Sequence, residues 1–428
     1  MPQLVPVPGQ RLQVTARLWT AWPGGTRLQT TWRGGGRQRT NRREGGRLRA
    51  ARLVAALLAI ALLASCGALP EFPERGSGQW RPKPEIGPQA DLPPQVPHAP
   101  GPPGGAPEPP PREPEGCSDP DPAVVATCLA PVSAIAVLPG GQSALVAERT
   151  TGRILRVERG MPPVEIATLA VDATGDGGLT GLALSPSYVE DELIFAYVTT
   201  PTGNEVVRFA PGDPPKRVLT GIPRGASGNA GVLSLDGSGA LLIATGDGGN
   251  PAAGSDPDSL GGKVLQVDTS GAPASTNPDP GSHVVASGLR APRGLCTDPA
   301  TGTTWVTDTN ADGDILRRVI PGQPLGAPAW TWRDQPGAAG CVVVQGQVEV
   351  ALTDRAVMFV LGLGPGEQFI GQPRTIPLEH YGRVSAATLG PESPVVWLGT
   401  VNTEGGAPIP SDERVFQLFE VAGSGDRD

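Results

Sequence analysis

The densest group of potential cation ligands in the sequence is Asp308-Thr309-Asn310-Ala311-Asp312-Gly313-Asp314. Oxygens at alternate positions ahead of a glycine match the first half of an EF-hand calcium loop, where they converge on one ion. Val319 stands where such a loop carries its bidentate glutamate, which argues against a complete EF-hand. Two readings remain: a weaker calcium site on Asp308, Asn310, Asp312 and Asp314, or a polar connection between strands. Candidate proton acceptors are scarce. The chain has three histidines, His98, His283 and His380, and histidine is the side chain that moves protons near neutral pH without a perturbed pKa. His380 lies three residues before Arg383, which makes it the histidine of most interest, and Asp247 in Thr245-Gly246-Asp247 is a second candidate.

These residues hang from a repeated unit. An apolar strand, a turn rich in Pro, Gly and Asp, a second apolar strand and a third carrying Arg or Lys recur from Ser133, Leu179, Ala230, Arg293, Cys341 and Arg383, the fifth copy being the most degraded. Short strands recurring at blade-sized spacing predict a β-propeller, and six units predict six blades, with seven as the alternative. The 60 Gly and 50 Pro, with 18% charged residues, agree with an all-β, turn-rich body over residues 117–428. The last strand, near Val415–Val421, is expected to pair with the first blade and close the ring. Cys296 and Cys341 occupy matching places in successive units, and Cys117 and Cys128 lie close together at the start of the body. Two disulfides, Cys117–Cys128 and Cys296–Cys341, are therefore expected in an oxidising compartment.

Ahead of the body, the basic stretch Arg47–Arg52 precedes a run of about 12 apolar residues from Leu53 to Ala64. That is too short for a stable membrane span and fits a signal peptide. The run ends Leu63-Ala64-Ser65-Cys66, similar to a bacterial lipobox, which makes Cys66 the expected lipidated residue and the outer face of the cell membrane the expected location. Residues 1–65 form the signal region, and 1–46 are long enough to suggest a true start further downstream. From Gly67 to Gly116 there are 16 Pro, a composition that stays disordered and extended as a stalk. Beyond residue 65 the chain carries 23 basic and 41 acidic residues, which excludes nucleic acid as a partner, since phosphate binding needs clustered Lys and Arg.

The stretch Gly228–Asp268 resembles the core motif of the PQQ-dependent soluble aldose sugar dehydrogenases, the glucose/sorbosone dehydrogenase family. That motif runs H-x-G-G-x-L, an Asp-Gly turn, T-G-D, then D-P-x-S-L-x-G-K. Here Asp236-Gly237, Thr245-Gly246-Asp247, Asp256-Pro257-Asp258-Ser259-Leu260 and Gly262-Lys263 fall in place. Gly288-Leu289-Arg290-Ala291-Pro292-Arg293-Gly294-Leu295 is similar to the family's G-H-R-N-P-Q-G-L, and Gly382-Arg383-Val384-Ser385 to its G-R-x-R. The resemblance implies pyrroloquinoline quinone (PQQ) and calcium over the channel mouth, with Arg290, Lys263 and Arg383 as cofactor-side residues. It also implies a histidine base where this chain has Gly228. Leu289, Ala291 and Ser385 likewise replace the family's His, Asn and second Arg. Each retained residue has a structural alternative: a turn cap for Asp247, pairing on a blade for Lys263, and salt bridges for Arg290 and Arg383.

Two function classes follow, on what is expected to be a monomer similar to actinobacterial lipoproteins of that family. One is a degenerate propeller that binds a glycan, small ligand or envelope protein. The other is an active quinoprotein oxidising a sugar or polyol hydroxyl.

Overall fold

The computed structural model describes residues 116–391 and 394–419. The expected signal segment, Cys66 and most of the Pro-rich stalk lie outside the described residues. Alternating apolar strands separated by Gly- and Pro-rich turns build six antiparallel sheets in chain order. Blade one is β2 (Val132–Val137), β3 (Ser143–Glu148), β4 (Arg153–Glu158) and β5 (Val164–Thr168). Blade two is β6 (Leu179–Leu184), β7 (Ile194–Thr200), β8 (Gly203–Phe209) and β9 (Lys216–Ile222). Blade three is β10 (Gly231–Leu235), β11 (Leu241–Thr245), β12 (Lys263–Val267) and β13 (Val284–Ser287), with β17 (Gln323–Pro324) added in parallel at its outer edge. Blade four is β14 (Pro292–Thr297), β15 (Thr304–Asn310), β16 (Gly313–Val319) and β18 (Trp330–Trp332). Blade five, the copy weakest in sequence, is a complete sheet of β19 (Ala338–Val344), β20 (Gln347–Leu352), β21 (Val357–Leu363) and β22 (Phe369–Pro377). Blade six is β23 (Val384–Leu389), β24 (Val395–Thr400) and β25 (Val415–Phe419).

The ring closes by a route the repeats did not announce. Strand β25 pairs with β24 in its own blade, and β1 (Val124–Ala126), upstream of the first repeat, becomes its outer neighbour. The last strand therefore does not join blade one. Three residues are too short to carry a period, so β1 was invisible as a pattern.

The core lies between blades. Six apolar clusters each draw on two adjoining sheets; one of them packs Val132, Val146 and Val157 against Trp397 and Val415 across the seam between blades one and six. Side-chain hydroxyls stitch neighbouring blades together near the start of the inner strands. Ser133 donates to the Leu179 carbonyl (2.6 Å), Thr180 to Gly231 (2.9 Å), Thr307 to Ala339 (2.8 Å), Thr353 to Val384 (2.8 Å) and Ser385 to Val132 (2.8 Å). Between blades three and four the amide of Asp247 donates to the carbonyl of Arg290 at 2.9 Å. Such close approach excludes side chains: a Cβ at Gly294 would fall 2.4 Å from the Ala339 carbonyl oxygen.

Both expected disulfides are present, Cys117–Cys128 and Cys296–Cys341. The second joins the innermost strands of blades four and five and closes a sequence separation of 45 residues. In the chain-entropy account a loop of that length stabilises by about 4 kcal/mol, at the upper end of the roughly 2–4 kcal/mol typical of disulfides. Cys296→Ala with Cys341→Ala should therefore lower the denaturant midpoint clearly, without a change in strand content by circular dichroism. A midpoint equal to the parent's would show that the apolar packing and the hydroxyl stitches hold that blade pair without the bridge.

Candidate functional site

The six inner strands surround a channel, and the mouth where they begin holds a cavity of about 400 Å³. Its charged lining is Arg149, Asp176, Arg293, Asp314, Asp354, Arg383 and Glu404. A larger space of about 530 Å³ at the other end is lined mainly by aliphatic residues and hydroxyls, with Arg293 its one charged side chain. The chemistry therefore gathers at the mouth.

Most of these charges already have partners. The Arg149 Nε donates to Glu404 at 2.9 Å and its Nη1 to the Gly177 carbonyl at 2.9 Å. Arg383 pairs with Asp354 across blades six and five. The Asp176 carboxylate accepts the amides of Gly228 (2.8 Å) and Asn229 (3.2 Å). Asp314 accepts the Thr309 hydroxyl at 2.7 Å and the amides of Gly337 (2.7 Å) and Ala338 (2.9 Å). Arg293, exposed into the channel, has no hydrogen bond or ion pair among the described residues.

Gly228, Asp247 and Arg290 come together beside the mouth without lining the cavity. Asp247 is buried, accepts the Gly249 amide at 2.7 Å and holds its other oxygen 2.6 Å from the Arg290 Nε. That approach is an ion pair, since its alignment does not make a hydrogen bond. Gly228 is buried with φ +67°, and a Cβ built there would lie 2.7 Å from the Asp247 carboxylate and 3.0 Å from the Gly249 amide. Only glycine occupies that conformation without strain. A side chain at this position therefore has nowhere to go while the loop keeps its present path.

Lys263 is drawn away from the cavity. It is 1% exposed, and its ammonium donates to the carbonyls of Ala253 (2.6 Å), Gly254 (2.9 Å) and Gly261 (3.4 Å), where burial pushes its pKa down. The ammonium thus holds the excursion between β11 and β12 in shape. His283 faces the Gly271 carbonyl at 3.2 Å, and His380 is largely exposed, 3.7 Å from Asp121. Neither histidine lines either cavity.

The calcium-like segment Asp308–Asp314 is a β-hairpin, with Asn310 opposite Gly313 and Ala311-Asp312 as its turn. Asp308 pairs with Ile315, whereas Asp314 pairs with Thr309, the next rung. Side chains on successive rungs point to opposite faces, so the two carboxylates diverge. Asp308 accepts the amides of Arg290 (3.1 Å) and Ala291 (2.7 Å). Burial pushes its carboxyl up to about 6, against the pull of those amides and of Arg317. Asn310 accepts the Asp312 amide at 2.8 Å, which caps the turn. No group of three or more His, Cys, Asp or Glu converges as a metal site among the described residues.

Sequence reading overlooked Arg149, Asp176, Arg293, Asp354 and Glu404. A signal for three of them exists in the repeats. Arg149, Asp354 and Glu404 follow the second strand of their blades, as does Asp247, so superposing the repeats at that turn would have collected them.

Comparison with known proteins agrees with this architecture. The glucose/sorbosone dehydrogenase family model matches residues 129–372, more than half of the chain. The PQQ-bound aldose sugar dehydrogenase of Streptomyces coelicolor is 30% identical, with a TM-score of 0.64 over 69% of this chain and 95% of that one. An oxidoreductase of Thermus thermophilus assigned as a glucose dehydrogenase is 28% identical, with a TM-score of 0.63 over 69% and 98%. The aldose sugar dehydrogenase of Escherichia coli K12 is 26% identical over 172 residues, and this chain spans 42% of its length.

The crowding at Gly228 has a direct consequence. Gly228→Ala should destabilise the protein by about 1–3 kcal/mol through the left-handed backbone and the Asp247 contact, and Gly228→His by at least as much. The urea midpoint checks this. An unchanged midpoint for either variant would show that the loop relaxes to admit a side chain.

Proposed function

We propose, from the premise that this chain belongs to the glucose/sorbosone dehydrogenase family, that it uses the family's propeller as a ligand-binding head and lacks the family's catalysis. The observation that carries this reading is that, among the described residues, no histidine lines the mouth and each of its carboxylates is already engaged within the protein. Oxidising a sugar hydroxyl requires a base within hydrogen-bond reach of it, typically worth about 10²–10⁴-fold in rate. At the place of the family's histidine stands Gly228, without room for a side chain, and the two described histidines lie outside the cavity. The mouth carboxylates are held by backbone amides or by arginines.

The residues present also do not fit the quinone cofactor. PQQ carries three carboxylates, and four acidic side chains line the mouth against three arginines, two of them already paired. The oxygens of Asp308, Asn310, Asp312 and Asp314 do not converge on a point where calcium would sit. The competing reading, an active quinoprotein, draws on Asp247, Arg290 and Arg383 at motif positions. Their partners in this chain are Asp247 with Arg290 and Asp354 with Arg383, as structural ion pairs would have.

Titrating the purified protein with PQQ and calcium, followed by absorbance and by sugar-dependent dye reduction, separates the two. No saturable spectral change and no dye reduction are expected. Saturable quinone binding with turnover of an aldose would overturn the binding-head reading, and another base would then have to be sought, His380 first.

The head is further proposed to be held at the outer face of the cell membrane through a lipid on Cys66, behind an extended stalk over residues 66–116. The basis is the lipobox-like Leu63-Ala64-Ser65-Cys66 and the Pro content that follows it. Cys66→Ala should move the protein out of the membrane fraction or leave it at precursor size. An unaltered membrane fraction of unaltered mass would end that proposal.

A further inference from the structure

We infer that the mouth cavity takes a sugar acid, a small polyhydroxy compound bearing a single carboxylate, with that carboxylate on Arg293. The inference rests on reading the mouth as a binding site and adds the class of ligand. Every other charged group at the mouth has a partner within the protein: Arg149 pairs with Glu404, Arg383 pairs with Asp354, and Asp176 and Asp314 accept hydrogen bonds from backbone amides and a hydroxyl. Arg293 alone among these lining charges has no partner among the described residues. It also borders both channel cavities, which puts it at the floor of the mouth, where a ligand end would arrive. A guanidinium fork in a partly enclosed space is matched by a carboxylate bound through two parallel hydrogen bonds.

The rest of the lining selects the body of the ligand. Ser133, Thr309, Thr353 and Ser385 border the mouth, and each donates its hydroxyl proton to protein: to Leu179, Asp314, Val384 and Val132 respectively. Their remaining capacity is that of acceptors. Acceptors arrayed around a cavity call for a ligand rich in O–H donors, which a polyol is and an acyl chain is not. The four carboxylates at the mouth outnumber its three arginines, so a second negative charge on the ligand meets that surplus with no free arginine left to receive it. A single carboxylate on a polyol satisfies all three conditions. A cavity of about 400 Å³ is in the size range of small-molecule sites.

Calorimetry on the purified full-length protein with gluconate, glucuronate, glucose and glucose 6-phosphate tests this. Gluconate or glucuronate should bind at least about tenfold more tightly than glucose, the scale of a charge-assisted hydrogen-bond pair, and more tightly than the phosphorylated sugar. Arg293→Gln should erase the preference for the acid over glucose while leaving the thermal transition in place. Equal binding of glucuronate and glucose, a preference surviving in Arg293→Gln, or no binding of either acid at concentrations on the order of 10 mM would each overturn the inference. Because the charged and neutral sugars are compared on the parent protein, the result does not depend on the variant folding. Failure here, without quinone turnover, leaves the binding-head reading intact; turnover with PQQ removes that reading whatever the sugar acids do.

Discussion

A propeller is a set of sheets bent round until the last meets the first, and in this chain the meeting is made by three residues. Strand β1 caps β25, so the outer edge of blade six is a strand of only three residues, too short to offer another chain much of a template. The contact is reinforced by buried polar chemistry. Arg414, 2% exposed, donates to Asp412 at 2.9 Å and to Asp119 at 3.1 Å, and further to the carbonyls of His380 and Tyr381. Glu413 accepts the Thr400 hydroxyl and the amides of Asn402 and Thr403, each at 2.6 Å. Buried charges are tolerated when this fully partnered, and removing one partner leaves the other uncompensated. The Cys117–Cys128 bridge and the bonds from Cys128 and Leu129 to the 411–413 backbone tie the same segment down. Closure thus holds the channel, and the channel holds the mouth.

The chemistry of the mouth follows from what holding the ring requires. Inner strands begin where blades crowd closest, and each start leaves amides that need acceptors. Asp176, Asp308 and Asp314 supply them, each accepting two backbone amides from a neighbouring loop or blade. Carboxylates that resemble ligands or bases in a sequence are therefore structural here, and their partners were not readable without the fold. Arg149 with Glu404 spans the seam between blades one and six, and Arg383 with Asp354 spans blades six and five. Arg293 remains as the group that no structural duty claims.

The repeat was the most legible feature, because six copies of one strand pattern report a shared environment rather than a local propensity. Even the degraded fifth copy folded as a full sheet, since blades four and six supply the faces that Val348, Val350 and Leu352 on one side and Met358 on the other pack against. The Cys296–Cys341 pairing was readable for the same reason: equivalent places in adjacent blades are neighbours in space. Besides the charged lining of the mouth, three things escaped. Strand β1 was too short to show a period. The Asp308–Asp314 segment carried a ligand-like spacing that a hairpin's alternation pulls apart. Lys263 sat in a motif, but its direction, toward the carbonyls of its own loop, is a matter of tertiary packing.

The change at position 228 is more than one missing side chain. A histidine substituted into the present loop would crowd the Asp247 carboxylate and the Gly249 amide, on a left-handed backbone that strains an L side chain. A loop that moved to relieve this would turn Gly228 and Asn229 away from Asp176, a half-buried carboxylate at the mouth that takes its hydrogen bonds from those two residues. The neighbouring Asp247–Arg290 pair, which joins blades three and four, would have to shift as well. The glycine, the Asp176 bonds and the blade-to-blade ion pair therefore form one arrangement in which each part excludes a base at this position. Such mutual commitment turns the polar groups of the loop to structure and leaves the mouth open above Arg293.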